Sequence, residues 1–239
     1  MLPIGAQLAN LHAQMRAAEL RSGRLPESCS LLAVSKGVSA ERVAEAIDAG
    51  QRDFGENRVQ ELEAKRAAVA LLRPTAKIRW ELIGPLQSNK IRRAIAAADR
   101  IDTVDRMELL AKIVEVSTAG PIQISVALQV NTDADPAKAG FAPEALRAAL
   151  PEISRLLRDS NVSIDGLMTI GRLTDDPAES RRSLANFARF ATSLRAEAAD
   201  ASLVIGPLLS AGMSGDFEVA IEEGATQVRL GSALFGARG

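Results

Sequence analysis

The sequence predicts an α/β protein built as a single (β/α)8 TIM barrel with one extra N-terminal helix. Three observations lead there. From residue 30 onward, eight short apolar runs alternate with longer amphipathic, Ala-rich stretches, the pattern of parallel β/α units. The chain has 239 residues, near the ~250 that such a barrel takes. No linker, low-complexity tract or shift of composition divides it, so residues 1–239 are expected to form one domain. An open doubly wound sheet is the competing architecture. Its Gly-x-Gly-x-x-Gly fingerprint is absent, and the run from Gly84 to Lys90 lacks the second glycine and the hydroxyl residue of a Walker loop.

Ile4, Leu8, Leu11, Met15 and Leu20 recur at helical spacing and predict an amphipathic helix over 4–21. Strands are predicted at 30–36, 52–57, 78–84, 100–105, 123–131, 163–171, 202–210 and 227–232. Helices are predicted between them near 40–49, 57–72, 89–98, 106–117, 142–158, 177–198 and 216–223. Ser39 and Asp105 are candidate N-caps, and Gly50 and Gly224 stop their helices.

Composition removes several classes of function. Apolar residues make up 47% and charged residues 25%, a globular balance that excludes a disordered chain. With 29 basic and 30 acidic side chains the net charge is −1, too little positive charge for a protein that binds nucleic acid through phosphates. Aromatic content is 3% with no tyrosine, poor in the rings that stack on bases. Cys29 and His12 are the only residues of their kinds, so neither an intrachain disulfide nor a Cys/His zinc site can form within one chain. The stretch from Met1 to Arg24 lacks a basic start followed by an apolar core, and no apolar run reaches the ~18 residues of a membrane helix. A cytoplasmic protein with no membrane partner is expected. No obvious interface patch stands out, so a monomer is expected too.

Barrels of this kind carry chemistry at the C-terminal ends of their strands. Unusual residues gather at those ends here: Lys36, Asn57, Gly84, Asn131, Gly171, Ser210, and Arg229 with Gly231 and Ser232. Lys36 ends an apolar run, where partial desolvation would free its amine to act as a nucleophile. A lysine that merely reaches solvent fits the same spacing. The run LLSAGMSGDFEVAI (208–221) is a strand, a loop with two glycines and two serines, and a helix start near Asp216. Such a loop can cradle phosphate on its amides, with Ser210, Ser214 and Ser232 adding hydroxyls; an ordinary βα turn fits it as well. A nucleophilic lysine facing a phosphate cradle suggests pyridoxal 5′-phosphate (PLP), which needs both. His12, Cys29, the clusters Lys90 to Arg93 and Arg181–Arg182, and Met107, Met168 and Met213 are better explained by packing or solvated helix faces.

Taken together, AVSKGVS (33–39), FGENRVQE (54–61), IGPLQSNK (83–90), VNTDADPAKAGF (130–141), GLMTIG (166–171) and LSAGMSGDFEVAIEEGATQVRLGSALFG (209–236) resemble the pyridoxal phosphate homeostasis proteins, the YggS/PROSC family. The match runs from about residue 30 to the C-terminus. The resemblance implies a barrel similar to the alanine racemase N-terminal domain, with PLP covalent on Lys36 as a lysine aldimine. It implies a role in vitamin B6 homeostasis and PLP supply, with PLP-dependent apoenzymes as recipients and no established turnover. By the same resemblance Asn57 lies beside the cofactor, and Ser210, Met213, Ser214, Gly231 and Ser232 surround its phosphate. Arg229 faces the pyridine nitrogen. Two positions depart from the family: Glu81 stands where a histidine is usual, and Ala211 where a methionine is common. A racemase on the same cofactor is the alternative. It would need an acid–base group opposite the lysine, a tyrosine in alanine racemase, for which only carboxylates such as Glu56 or Glu81 could substitute. A third possibility is a barrel for another phosphorylated metabolite, with Lys36 as an electrostatic contact.

Overall fold

Eight parallel strands close on themselves in chain order: β1 (Ser30–Val34), β2 (Asp53–Glu56), β3 (Arg79–Leu82), β4 (Arg100–Val104), β5 (Ile124–Gln129), β6 (Val162–Met168), β7 (Ile205–Ser210) and β8 (Gln227–Leu230). Closure is made by β8 on β1, where Ser30 lies beside Gln227 and Ala33 beside Leu230. The expected (β/α)8 barrel is the fold observed in this computed structural model, which describes residues 2–120, 122–172, 174 and 176–236. Helices α2 (Ala40–Asp48), α3 (Val59–Leu72), α4 (Ile91–Ala97), α5 (Met107–Thr118), α6 (Pro143–Leu157), α7 (Pro177–Asp200) and α8 (Phe217–Glu222) connect the strands. A helix ahead of them, α1 (Ile4–Arg21), and a short one behind, α9 (Ser232–Phe235), complete the ring. The last was not predicted, nor was the 3-10 turn Ser88–Lys90 that precedes α4.

Helix α1 packs on α2, α8 and α9 through Ile4, Leu8, Leu11, Met15 and Ala18. Leu20 leaves that stripe: it is five residues past Met15, off the i, i+3, i+4 face, and 65% exposed. Polar contacts lock the same helix, with Gln7 donating to the Ala233 carbonyl at 2.6 Å and Arg21 to Glu218 and Glu222 at 2.7 Å each. Ser39 caps α2 as expected, and Gly50 and Gly224 end α2 and α8 in the left-handed region. Asp105 does not cap α5. Its carboxylate pairs with the Arg106 guanidinium instead, and Arg106 occupies the cap position. Cys29 is buried behind β1, where desolvation pushes its thiol up to about 12. His12, half-buried on α1, has its pKa lowered by desolvation and by Arg16.

Outward-facing side chains such as Leu31, Phe54, Trp80, Leu82 and Ile101 form the apolar layer beneath the helices, with Phe54 and Trp80 rings 5.5 Å apart. The inside of the barrel is different. Arg100 of β4 donates to Gln227 of β8 at 2.7 Å, Gln227 reaches Glu81 of β3 at 3.1 Å, and Arg79 of β3 meets Asp165 of β6 at 2.8 Å. In none of these three contacts are the two strands neighbours, so the side chains meet across the lumen. An ionic layer therefore fills the barrel floor where branched apolar residues are usual.

Candidate functional site

The first strand stops at Val34, two residues before its predicted end. Ser35 still donates its amide to Gly55, and then the chain turns: Val38 N–H donates to the Ser35 carbonyl at 2.9 Å, with Gly37 at φ +70°. A positive φ at the third residue of such a turn is the type II pattern, and glycine adopts it without strain. Lys36 thus sits at the second turn position, at the strand's C-terminal mouth. Its amine makes no hydrogen bond or ion pair with a described residue.

Asn57 follows β2 directly. The loop after β3 crosses it so closely that a Cβ on Gly84 would lie 2.1 Å from the Asn57 carbonyl oxygen. Only glycine permits this approach, and Thr103 secures it by donating to the Gly84 carbonyl at 2.7 Å. On the far side, the loop after β7 passes through Gly212 at φ +90°, where a Cβ would meet that of Ala220 at 2.5 Å. Asp216 folds the loop back by accepting the Met213 amide at 2.7 Å. Ser214 and Ser232 hydroxyls lie 3.2 Å apart, joining this loop to the one after β8. The amides of Ser214, Gly215, Gly231 and Ser232 donate to no described residue. That is a row of N–H groups suited to an anion.

Between these loops lies a cavity of about 340 Å³. Lys36, Asn57, Met213, Ser214, Arg229, Gly231 and Ser232 all line it, so seven of the predicted site residues converge. The eighth, Ser210, does not. It is wholly buried one level below, where its hydroxyl accepts from Arg229 at 2.9 Å. Arg229 also donates to the Thr169 carbonyl at 2.7 Å. Its guanidinium pKa is lowered by burial, with Asp102, Asp216 and Glu81 pulling the other way. It has no carboxylate partner within ion-pair reach among the described residues. Val34, Ile83, Met168 and Ile170 supply apolar wall, and Gly215 completes the lining. Ile83 was legible as two residues past Glu81 on the same inward face; Met168 serves the cavity and not only packing.

Other strand-end residues have different tasks. Asn131 donates to the Asp135 and Lys138 carbonyls and so braces its own loop, while the Gly171 carbonyl accepts from Lys138. Neither carboxylate considered as an acid–base group reaches the cavity. Glu56 points outward beneath α3 and bonds Ser35 and Lys65. Glu81 lies in the ionic floor, 2.7 Å from Arg100. Among the described residues, Lys36 and Arg229 are the only ionisable side chains lining the cavity, so its field favours an anion. A second cavity of about 600 Å³ opens at the opposite end of the barrel beside His12 and Cys29. Its buried Glu19 is spent on the amides of Glu27 and Cys29. No group of side chains suited to a metal occurs among the described residues, and no described helix is long and apolar enough to cross a membrane.

Burial, reinforced by the nearby Asp102 charge, pushes Glu81 up to about 8. A carboxyl raised in the fold holds a proton that the unfolded chain has released, so its contribution to stability is full below the ordinary value of about 4.5 and is lost as pH rises through about 8. Glu81→Gln should therefore flatten the fall in urea midpoint between about pH 5 and pH 8. Parallel pH profiles for variant and parent would rule out this titration.

Comparison with known proteins adds to this geometry. The model of the alanine racemase N-terminal domain matches residues 7–239. The pyridoxal phosphate homeostasis protein of Pseudomonas aeruginosa is 42% identical, covering 100% of this chain and 97% of its own. That of Escherichia coli K12 is 38% identical, covering 100% and 98%. Among solved structures, PipY of Synechococcus elongatus with PLP bound superposes with a TM-score of 0.84 at 39% identity, covering 98% of this chain and 100% of PipY. Alanine racemase of Clostridium difficile shares the fold at 16% identity and a TM-score of 0.71, with 57% of that longer chain covered.

Proposed function

Because the chain belongs to the alanine racemase N-terminal domain family, and within it to the pyridoxal phosphate homeostasis proteins, we propose that it holds PLP in the cavity at the mouth of the barrel and serves the cell's balance and supply of that cofactor. One observation carries this most: an unpaired lysine, a buried arginine without a carboxylate, and a row of open amides face a single cavity. PLP brings an aldehyde, which condenses with an amine with release of one water, and a phosphate. Lys36 supplies the amine. Ser214, Gly215, Gly231 and Ser232 would offer N–H groups to the phosphate, the two serines would add hydroxyls, and Met213 would line the same end. Asn57 flanks the ring, and Arg229, held by Ser210 and Thr169, donates to the ring's edge.

The same cavity supports storage and delivery over turnover. Racemisation needs a second acid–base group on the face of the ligand opposite the lysine. Among the described residues, the cavity's other ionisable side chain is a guanidinium, which stays protonated. Residues 1–239 act as one cytoplasmic, monomeric domain, and PLP-dependent apoenzymes are the recipients. The test is direct: incubation with PLP gives a visible absorption band, and borohydride followed by peptide mapping fixes the adduct on Lys36. A protein that binds PLP without such a band would be a phosphate binder in which Lys36 serves only as a charge.

Gly231 gives a separate check on the phosphate end. Its φ of −112° suits any residue, but a Cβ there would press on the Val34 carbonyl at 3.3 Å. Gly231→Val should weaken PLP by about tenfold, ~1.4 kcal/mol, with an unchanged circular dichroism spectrum. Unaltered affinity would move the phosphate elsewhere.

A further inference from the structure

Behind the Lys36 turn lies a buried cluster that touches no part of the cavity. Lys65 of α3 is 6% exposed at its side chain, and its ammonium donates to Glu56 at 2.6 Å, to Glu61 at 3.1 Å and to the Ser35 carbonyl. Glu56, fully buried, also accepts the Ser35 hydroxyl at 2.7 Å. Glu61 accepts the Gly37 amide at 2.6 Å. The residues on both sides of Lys36 are thus bolted to one cluster: Ser35 by its hydroxyl and its carbonyl, Gly37 by its amide.

Burying the Lys65 and Glu56 charges is expensive, and apolar residues of similar volume often serve stability as well or better. One oxygen of Glu56 is even left without a partner among the described residues. That cost falls at the turn that carries Lys36, whose amine has no partner among the described residues. Resting on the proposal that Lys36 binds PLP covalently, we infer that Lys65, clamped between Glu56 and Glu61, is a positioning residue that fixes the Lys36 turn so that the amine reaches the cavity. All three of its N–H groups are engaged, so Lys65 is not itself a competing amine.

The experiment separates reach from binding. Pyridoxamine 5′-phosphate fills the same cavity but has no aldehyde, so its affinity reports the cavity alone. The rate of band formation with PLP, confirmed by borohydride mapping, reports Lys36. Lys65→Met and Glu61→Ala should slow adduct formation by ~10-fold or more, since a misplacement of ~1 Å can cost about 100-fold. Pyridoxamine 5′-phosphate should bind both variants as it binds the parent. Glu61→Gln keeps an acceptor for the Gly37 amide and should recover part of the rate. If Lys65→Met fails to fold, the Glu61 pair decides alone, because Glu61 is partly exposed. Adduct formation at the parental rate in folded Glu61→Ala overturns the inference, as does an equal loss of pyridoxamine 5′-phosphate affinity. Absence of any adduct in the parent protein refutes the Lys36 proposal itself, and this inference with it.

Discussion

Lys36→Ala should abolish both the visible band with PLP and the borohydride-fixed adduct, the largest effect expected of any single substitution here. No other lysine near the mouth can replace it. Lys65 is buried with three acceptors on its ammonium. Lys138 is tied to the Gly171 carbonyl at 2.8 Å and pairs with Asp135. Lys90 belongs to the 3-10 turn after β3 and is not among the lining residues. The phosphate end is untouched by the substitution, so noncovalent affinity for pyridoxamine 5′-phosphate should survive. An adduct that persists in Lys36→Ala, mapped to Lys90 or Lys138, would remove Lys36 from the role given to it.

How far the sequence foretold this site varies with the kind of residue. Backbone-determined features were legible, because glycine marks them: Gly37 after Lys36, and Gly212 in the loop after β7, sit where positive φ is needed. The end of β1 was placed two residues late because no turn residue separates Ser35 and Lys36 from the apolar run Leu31–Val34, and the turn depends on the next glycine. The barrel floor was not legible. Arg79, Glu81, Arg100 and Asp102 alternate with apolar residues in short strands, the pattern of a half-exposed sheet. Only closure of the barrel turns that polar face inward, and closure depends on contacts between residues as far apart as Arg100 and Gln227. The contact made by Ser210 was not legible for a related reason. Its position at the end of β7 is right, but its hydroxyl points to Arg229, a partner 19 residues away. Glu56 and Lys65 likewise read as ordinary strand and helix charges until folding brings them together behind the Lys36 turn.

Arg229→Gln should weaken PLP by roughly 10- to 150-fold, the equivalent of the about 1.5–3 kcal/mol that a hydrogen bond to a charged group contributes. Arg229 is an unusual residue to bury: its guanidinium rests on two neutral oxygens, Ser210 Oγ and the Thr169 carbonyl, and burial lowers its pKa. Desolvation is poorly offset by such partners. A glutamine in its place keeps a donor for one of those oxygens while removing the charge. Thermal stability without ligand should therefore fall little or rise, although affinity drops. That opposition of effects identifies a charge kept for a ligand, whereas a purely structural arginine would lose stability and affinity together. The guanidinium also fixes the direction of the bond, because it donates and cannot accept. A ring nitrogen facing it must be unprotonated, so the bound spectrum should stay constant with pH in the parent and titrate in Arg229→Gln. If the variant matches the parent in both affinity and spectral pH dependence, Arg229 does not meet the ligand and serves only to tie β8 to β7.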